Sequence, residues 1–247
     1  MSAVPRVPDG YEAFEVGGAR VTARHAAAAA VRIVMRNATL HEWAAQQPGA
    51  EAMAGRATAW ATTLPGGMDV VVRHSRHGGL LAPLTGDLFL RPTRARRELS
   101  AALRLTANGV HTADIVAYAV YPVAGLFARA DVATSRLRGR ALPEAWAAAA
   151  DDAARGALVQ AVAALLAALS RADAHHPDLN VSNILILDGP DRPVAAVLDV
   201  DRVEFRDLER LAVGPRNLRR LLRSIEKRGI SLSTHQLAVL QRTERGA

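Results

Sequence analysis

The sequence predicts an α+β chain in two lobes. The first, residues 1–137, is strand-rich with one helix; the second, residues 138–247, is abbreviated and mostly helical. Three observations carry this reading. Four strand-like runs, 57–64, 68–74, 115–121 and 126–134, lie in the first half around a single helix-like stretch. The segment SRLRGRALP (135–143), polar and marked by Gly and Pro, then interrupts the pattern. Beyond it the residues from Ala157 to Leu169 are apolar except for Gln160, the pattern of a helix buried on every side.

Taken in order, residues 1–50 are weakly patterned and read as turns with one Ala-rich helix. Ala57–Leu64 and Met68–His74 form a hairpin through Pro65-Gly66-Gly67. Thr93 is a plausible N-cap for a helix from Arg94 to about Ala107, stopped by Asn108-Gly109. Two more strands follow, then the link, then one long helix from Pro143 to about Ala172. The loop HHPDLNVSN (175–183) leads into the strand ILIL, a turn at Asp188-Gly189-Pro190, a strand from Val194 to Val200, and terminal helices.

Composition narrows the function classes. The chain has 247 residues, enough for a sizeable core, and only 4% are aromatic, so that core is built from Ala, Leu and Val. With no cysteine, disulfides and thiolate metal sites are excluded. The net charge is +7, and of 31 basic residues only Lys227 is a lysine. Arginine suits forked contacts with phosphate or carboxylate, so an anionic partner is expected. Nucleic acid is not: aromatics are few and no binding motif is present. A zinc site at His175, His176 and Asp178 is disfavoured, because adjacent histidines before a proline converge poorly on one metal. The opening MSAVPRVPDGYEAFEV has neither a basic start nor an apolar stretch, so no targeting segment is expected. The apolar run 157–169 falls short of the roughly 20 residues that span a bilayer.

Asp178, Asn183 and Asp199 give the sequence its chemistry. Asp178 precedes Asn183 by five positions, and Asp199 lies sixteen beyond Asn183, after a hairpin. Asp and Asn are common turn residues, which is the plainest account of the loop. The order is also what phosphoryl transfer requires: one carboxylate to orient and accept the proton of a hydroxyl, and an amide with a second carboxylate to hold Mg²⁺.

The pattern H-x-D-L-x-x-x-N resembles the catalytic loop of protein-kinase-like enzymes. RHSRHGG (73–79), RRELSAALRL (96–105), HPDLNVSNILI (176–186), LDVDR (198–202) and RNLRRLLRS (216–224) resemble the lipopolysaccharide kinase (Kdo/WaaP-type) family, in particular its 3-deoxy-D-manno-octulosonic acid (Kdo) kinases, over about residues 53–228. The resemblance implies a two-lobed protein-kinase-like fold and ATP-dependent phosphorylation of a Kdo hydroxyl on a lipid A precursor. It also implies Mg²⁺ as cofactor and a place on the cytoplasmic face of the inner membrane. By the same resemblance Asp178 is the catalytic base, and Asn183 and Asp199 are the metal ligands. His176 is structural, Asn180 stands where protein-serine kinases carry lysine, and His175 has no assigned role and reads as a surface or helix-end histidine. Glu98 orients the cation that meets the nucleotide.

The sequence departs from the ordinary kinase pattern in two places. The strand cation is Arg73 rather than lysine, and the nucleotide-covering loop AGRATAW keeps one glycine, Gly55. Both leave open a catalytically silent module, and the acceptor could be another small molecule such as an aminoglycoside. Two basic regions remain: Arg73, His74, Arg76 and His77 beside Gly78-Gly79, where the backbone could come close to an anion and Arg76 is a candidate contact, and a helical face carrying Arg216, Arg219, Arg220, Arg223 and Lys227. That face is either simply solvated or a contact for lipid phosphates and an anionic membrane surface.

Overall fold

The computed structural model describes residues 7–53, 59–75, 87–90, 93–123, 126–189, 191–205 and 210–242. Packing divides the chain into two units, Met1–Leu99 with Asp114–Arg136 and Ser100–Ala113 with Leu137–Ala247.

The first unit is built on an antiparallel sheet. Its elements are β1 (Tyr11–Val16), β2 (Ala19–Arg24), helix α1 (His25–Val34), helix α2 (Leu40–Ala45), β3 (Glu51–Met53), β4 (Ala59–Leu64), β5 (Met68–His74), β6 (Phe89–Leu90), the start of α3 (Ala95–Ala107), β7 (Ile115–Pro122) and β8 (Phe127–Ser135). Strand order is β1-β2-β7-β8-β5-β4-β3, with β6 also against β8. The β4–β5 hairpin closes where expected, with Gly67 N–H donating to Leu64 C=O. Residues 1–50 were expected to hold turns and one helix; they hold a hairpin and two helices. Gly17 and Gly18 carry the signal for that hairpin. Both have positive φ, 55° and 75°, as a two-residue turn of type I′ requires. Val16 therefore pairs with Ala19. On the sheet, α1 buries Ala27, Ala28, Val31 and Val34 in a cluster with Val21, Leu64, Val70 and Val72. Small side chains permit this close helix-on-sheet approach, and each buried valine or leucine contributes roughly 1.5–3 kcal/mol.

The second unit contains the rest of α3, β9 (Gly139–Ala141), α4 (Leu142–Ala148), α5 (Asp152–Arg171), β10 (Ala174–His175), β11 (Ile184–Leu187), β12 (Val194–Val197), β13 (Glu204–Phe205), α6 (Arg210–Lys227) and α7 (Thr234–Arg242). The long helix expected from Pro143 to Ala172 is two helices. Asp151 adopts extended φ/ψ and its Oδ1 accepts from Ala154 N–H at 2.7 Å, so a new N-cap ends the first helix and starts the second. At 20 residues α5 is long and apolar enough to cross a membrane, and it buries Leu158, Val162, Leu165, Leu166 and Leu169 inside this unit. The link 135–143 contains a strand: β9 pairs with β11, and a Cβ on Gly139 would come within 2.2 Å of Ile186 O, so only glycine fits that approach. The strand expected from Val194 to Val200 ends at Val197, because Asp199 turns left-handed and a 3₁₀ turn, Val200–Arg202, follows. His111 C=O accepts from Val197 N–H, and the Arg104 guanidinium lies 4.1 Å above the Phe205 ring, which explains why 100–113 belongs to this unit.

Candidate active site

The loop from β10 to β11 is built outward from His176, which is completely buried. Its backbone N–H donates to Asn217 Oδ1 (3.0 Å), and Asn217 Nδ2 donates to Ala174 C=O (2.9 Å), so a buried amide on α6 clamps the strand that enters the loop. The imidazole works in both directions. Nδ1 accepts from Asp178 N–H (3.2 Å) and Nε2 donates to Leu198 C=O (3.1 Å), a set that only the neutral ring can make. Burial holds its pKa below the usual histidine value, against the opposing pull of the Leu198 carbonyl.

Past the histidine the loop is anchored by apolar and polar pegs in turn. Leu179 and Val181 are buried, and Val181 N–H donates to Ser224 Oγ of α6 (3.1 Å). Asn180 Oδ1 accepts from Ser182 N–H (2.9 Å), starting a 3₁₀ turn over Val181–Asn183. The amides of Asn180 and Asn183 both donate to Asp178 C=O, at 2.9 and 3.0 Å. Asp178 is thereby fixed at its N–H and its carbonyl, while its side chain stays 35% exposed, within reach of a hydroxyl.

Asn183 and Asp199 come together through the backbone. β11 pairs with β12 from Ile184↔Val197 onward, and Leu198 N–H extends the ladder to Asn183 C=O at 2.8 Å. Leu198 is therefore held at its N–H by Asn183 and at its carbonyl by His176. Asp199, next in the chain, takes the left-handed conformation (φ 60°, ψ 52°), a cost of roughly 1–2 kcal/mol for a residue with a Cβ. The three residues are thus linked by His176 and one ladder bond. Asn183 donates through its nitrogen, so its carboxamide oxygen is the end offered to a cation. An amide oxygen and a carboxylate are hard donors that fit Mg²⁺, with water and phosphate oxygens completing the shell.

The first unit supplies the other predicted residues. Arg73 on β5 and Glu98 in the first turn of α3 form an ion pair, Glu98 95% shielded from solvent and Arg73 72%. The next residue, His74, points to the opposite sheet face. Its Nδ1 bonds Asp131 Oδ1 (2.6 Å) and its Nε2 bonds Asp87 Oδ2 (3.0 Å). Asp131 is completely buried, and its Oδ2 also accepts from Tyr121 OH (2.9 Å) and from His41 N–H at the start of α2 (3.0 Å). The bond to Asp131 pulls the His74 pKa up, more than burial pushes it down.

Gly55 and Arg76, predicted to meet nucleotide and anion, lie outside the described residues, as do His77 and Gly78-Gly79. Arg216, Arg219, Arg220, Arg223 and Lys227 are exposed on α6, while Leu218, Leu221 and Ile225 are buried and Leu222 is half-buried. Arg220 is more than part of that face: its Nη2 lies 3.4 Å from Asp178 Oδ1. His175 is not a surface residue; it is 85% shielded in β10, paired with Glu204 of β13. Sequence reasoning missed Asn217 and Ser224. The only available signal was two small polar residues on the apolar side of an otherwise two-faced helix.

A carboxylate presented on a pinned loop, with an amide and a second carboxylate at the end of the following hairpin, is a donor set suited to phosphoryl transfer to a hydroxyl. The sequence profile of the lipopolysaccharide kinase (Kdo/WaaP) family matches residues 41–243, and the chain belongs to that family. A 3-deoxy-D-manno-octulosonic acid kinase of Vibrio parahaemolyticus serotype O3:K6 is 31% identical over 196 residues, spanning 73% of this chain and 74% of that protein. One from Vibrio vulnificus (strain YJ016) is 28% identical over 198 residues, spanning 78% and 80%. Among solved structures, WaaP in complex with acyl carrier protein superposes with a TM-score of 0.61 at 22% identity, covering 88% of this chain and 86% of that one. The fold is protein-kinase-like.

Proposed function

We propose that the chain transfers a phosphoryl group from ATP to a hydroxyl of a Kdo sugar in the lipopolysaccharide inner core, as the names of its Vibrio relatives suggest. The observation that carries the reading is the double anchoring of Asp178 and Leu198 by one neutral histidine, which holds a base and a metal-binding carboxylate in fixed register. Asp178 orients the acceptor hydroxyl and takes its proton. Asn183 and Asp199 hold Mg²⁺, and Arg73, steadied by Glu98, meets the nucleotide phosphates. ATP would be the phosphoryl donor, and Mg²⁺ held by Asn183 and Asp199 would offset the charge on its phosphates. Arginine can replace lysine at position 73 because this residue places charge and moves no proton.

The test is label transfer from ATP with Mg²⁺ to a Kdo-bearing lipid A precursor, beside an aminoglycoside. The precursor should be labelled by the wild type and about 10²–10⁴-fold more slowly by Asp178→Asn, with nucleotide binding retained. Label in the aminoglycoside alone would move the acceptor. An unlabelled acceptor set and no nucleotide binding would make the chain a silent module.

We further propose that the protein works as a peripheral protein on the cytoplasmic face of the inner membrane, with the α6 arginines toward anionic headgroups. Each basic residue near such a surface contributes about 1 kcal/mol. Binding to phosphatidylglycerol vesicles should weaken in Arg216→Gln/Arg219→Gln/Arg223→Gln; unchanged binding would retire the placement.

A further inference from the structure

Arg220 sits where neither a solvated helix face nor a lipid contact accounts for it. Its Nη2 lies 3.4 Å from Oδ1 of Asp178, the oxygen set that must receive a hydroxyl proton. A charge-assisted N–H···O bond prefers about 2.7–2.9 Å, so this pair is loose, and both side chains are open to solvent (47% and 35%). The helix around it is not loose: Asn217, three residues earlier, and Ser224, four later, are bonded to the catalytic loop, so the Arg220 Cα is held at a fixed distance from Asp178.

The contact on Oδ1 leaves Oδ2 of Asp178 for the acceptor hydroxyl, and a pair this loose and open to solvent can part, which puts the guanidinium one side-chain swing from the reacting hydroxyl. Its next partner is an anionic group of the acceptor itself. The loop position where other kinases place a cation offers none here: Asn180 spends its amide on Ser182 N–H and Asp178 C=O. Arg216 and Arg223 flank Arg220 along the same helix line, which extends positive charge on both sides of it.

We infer that Arg220 is a specificity residue that releases Asp178 and grips the carboxylate of the acceptor sugar, so that the site selects acidic sugars over neutral ones. The inference rests on the proposed acceptor, which is by its name an acid. A forked guanidinium matches a carboxylate with two parallel hydrogen bonds, and on a half-exposed rim its loss is expected to cost about tenfold in affinity.

The experiment compares two acceptors, the Kdo-bearing lipid A precursor and the same lipid with its Kdo carboxylates methyl-esterified, in the full-length wild type, Arg220→Gln and Arg220→Lys. The wild type should show a KM for the ester about tenfold above that for the acid. In Arg220→Gln the acid KM should rise to meet the ester KM, with the KM for ATP unmoved. Arg220→Lys, a point charge without the fork, should fall between, and it carries the test should the Gln variant fail to fold. An acid preference that survives in both variants overturns the inference, as does a wild type that ignores esterification. So does a rise in the KM for ATP with the acid-to-ester ratio intact, which would place Arg220 on the transferring phosphoryl group. No transfer by wild type to the acid removes the acceptor assignment and this inference together, a result distinct from transfer without selectivity.

Discussion

His74 and His176 each sit one or two residues from a group with a proposed role in the chemistry, Arg73 and Asp178, and the two are held in opposite ways. His74 has a carboxylate at each ring nitrogen, so it is a cation clamped between acids. His176 has a donor at one nitrogen and an acceptor at the other, so it is a neutral bridge. The first unit uses charge to hold a charged residue. The second does not, and on the proposed roles the reason is that a buried cation behind Asp178 and Asp199 would compete for carboxylates assigned to a proton and a metal. An imidazolium would also have no lone pair for Asp178 N–H. Rigid neutral hydrogen bonds fix the loop without spending the charge of its two acids.

The largest expected effect breaks the neutral side of this comparison. Asn217→Ala leaves the His176 N–H and the Ala174 C=O unpaired in a buried place, at about 1–3 kcal/mol for each. Urea unfolding should show a loss of roughly 2–4 kcal/mol, with activity falling at temperatures where the protein is still folded. A loss below about 1 kcal/mol would mean that water or a shifted backbone satisfies both groups, and the clamp would not be what fixes the loop.

The charged side should respond in activity more than in stability. Glu98→Gln keeps the shape of the buried side chain and removes its charge, so the ion pair with Arg73 is lost. We expect about a tenfold higher KM for ATP, a modest figure because Arg73 is partly open to solvent. Arg73→Lys should keep more activity than Arg73→Gln, since charge rather than the fork is needed there. An unaltered KM in Glu98→Gln would detach the pair from nucleotide binding.

What the sequence made legible follows the same division. Asp178, Asn183 and Asp199 stand out in the sequence because the roles proposed for them fix both residue type and spacing. Arg73 and Glu98 could be read once a strand and a helix were placed. The supports could not: nothing local in RNLRRLLRS says that Asn217 turns inward while Arg216 turns out, and the pairing of Asn217 with His176 spans 41 positions. The break at Asp151 escaped notice because Ala-rich flanks favour helix on both sides, and only the Asp151 cap decides between one helix and two. The β1–β2 hairpin was missed although Gly17-Gly18 announced it. Its strands, YEAFEV and ARVTAR, mix small and charged residues in a way that blurs the alternation.

The smallest effect is in pH, and it separates the two histidines by sign. In the unfolded chain both titrate near 6.5. His74 has a raised value in the folded protein, so its stabilisation is complete below about pH 6.5 and is lost as pH rises through that higher value. His176 has a lowered value, so its stabilisation is present above about pH 6.5 and drains away as pH falls toward that lower value. Together they place a stability maximum near pH 6.5 in the wild type, with one histidine shaping the limb on each side. Glutamine at either position keeps hydrogen-bonding capacity and cannot titrate. His74→Gln should therefore lose the decline above about pH 6.5, and His176→Gln the decline below about pH 6.5, in urea midpoints measured on both sides of that value. Activity should follow only the acid limb, because protonating His176 removes the acceptor for Asp178 N–H, whereas His74 lies behind the sheet from Arg73. Two variants with the same pH slope would mean that both histidines are held by the same kind of bond.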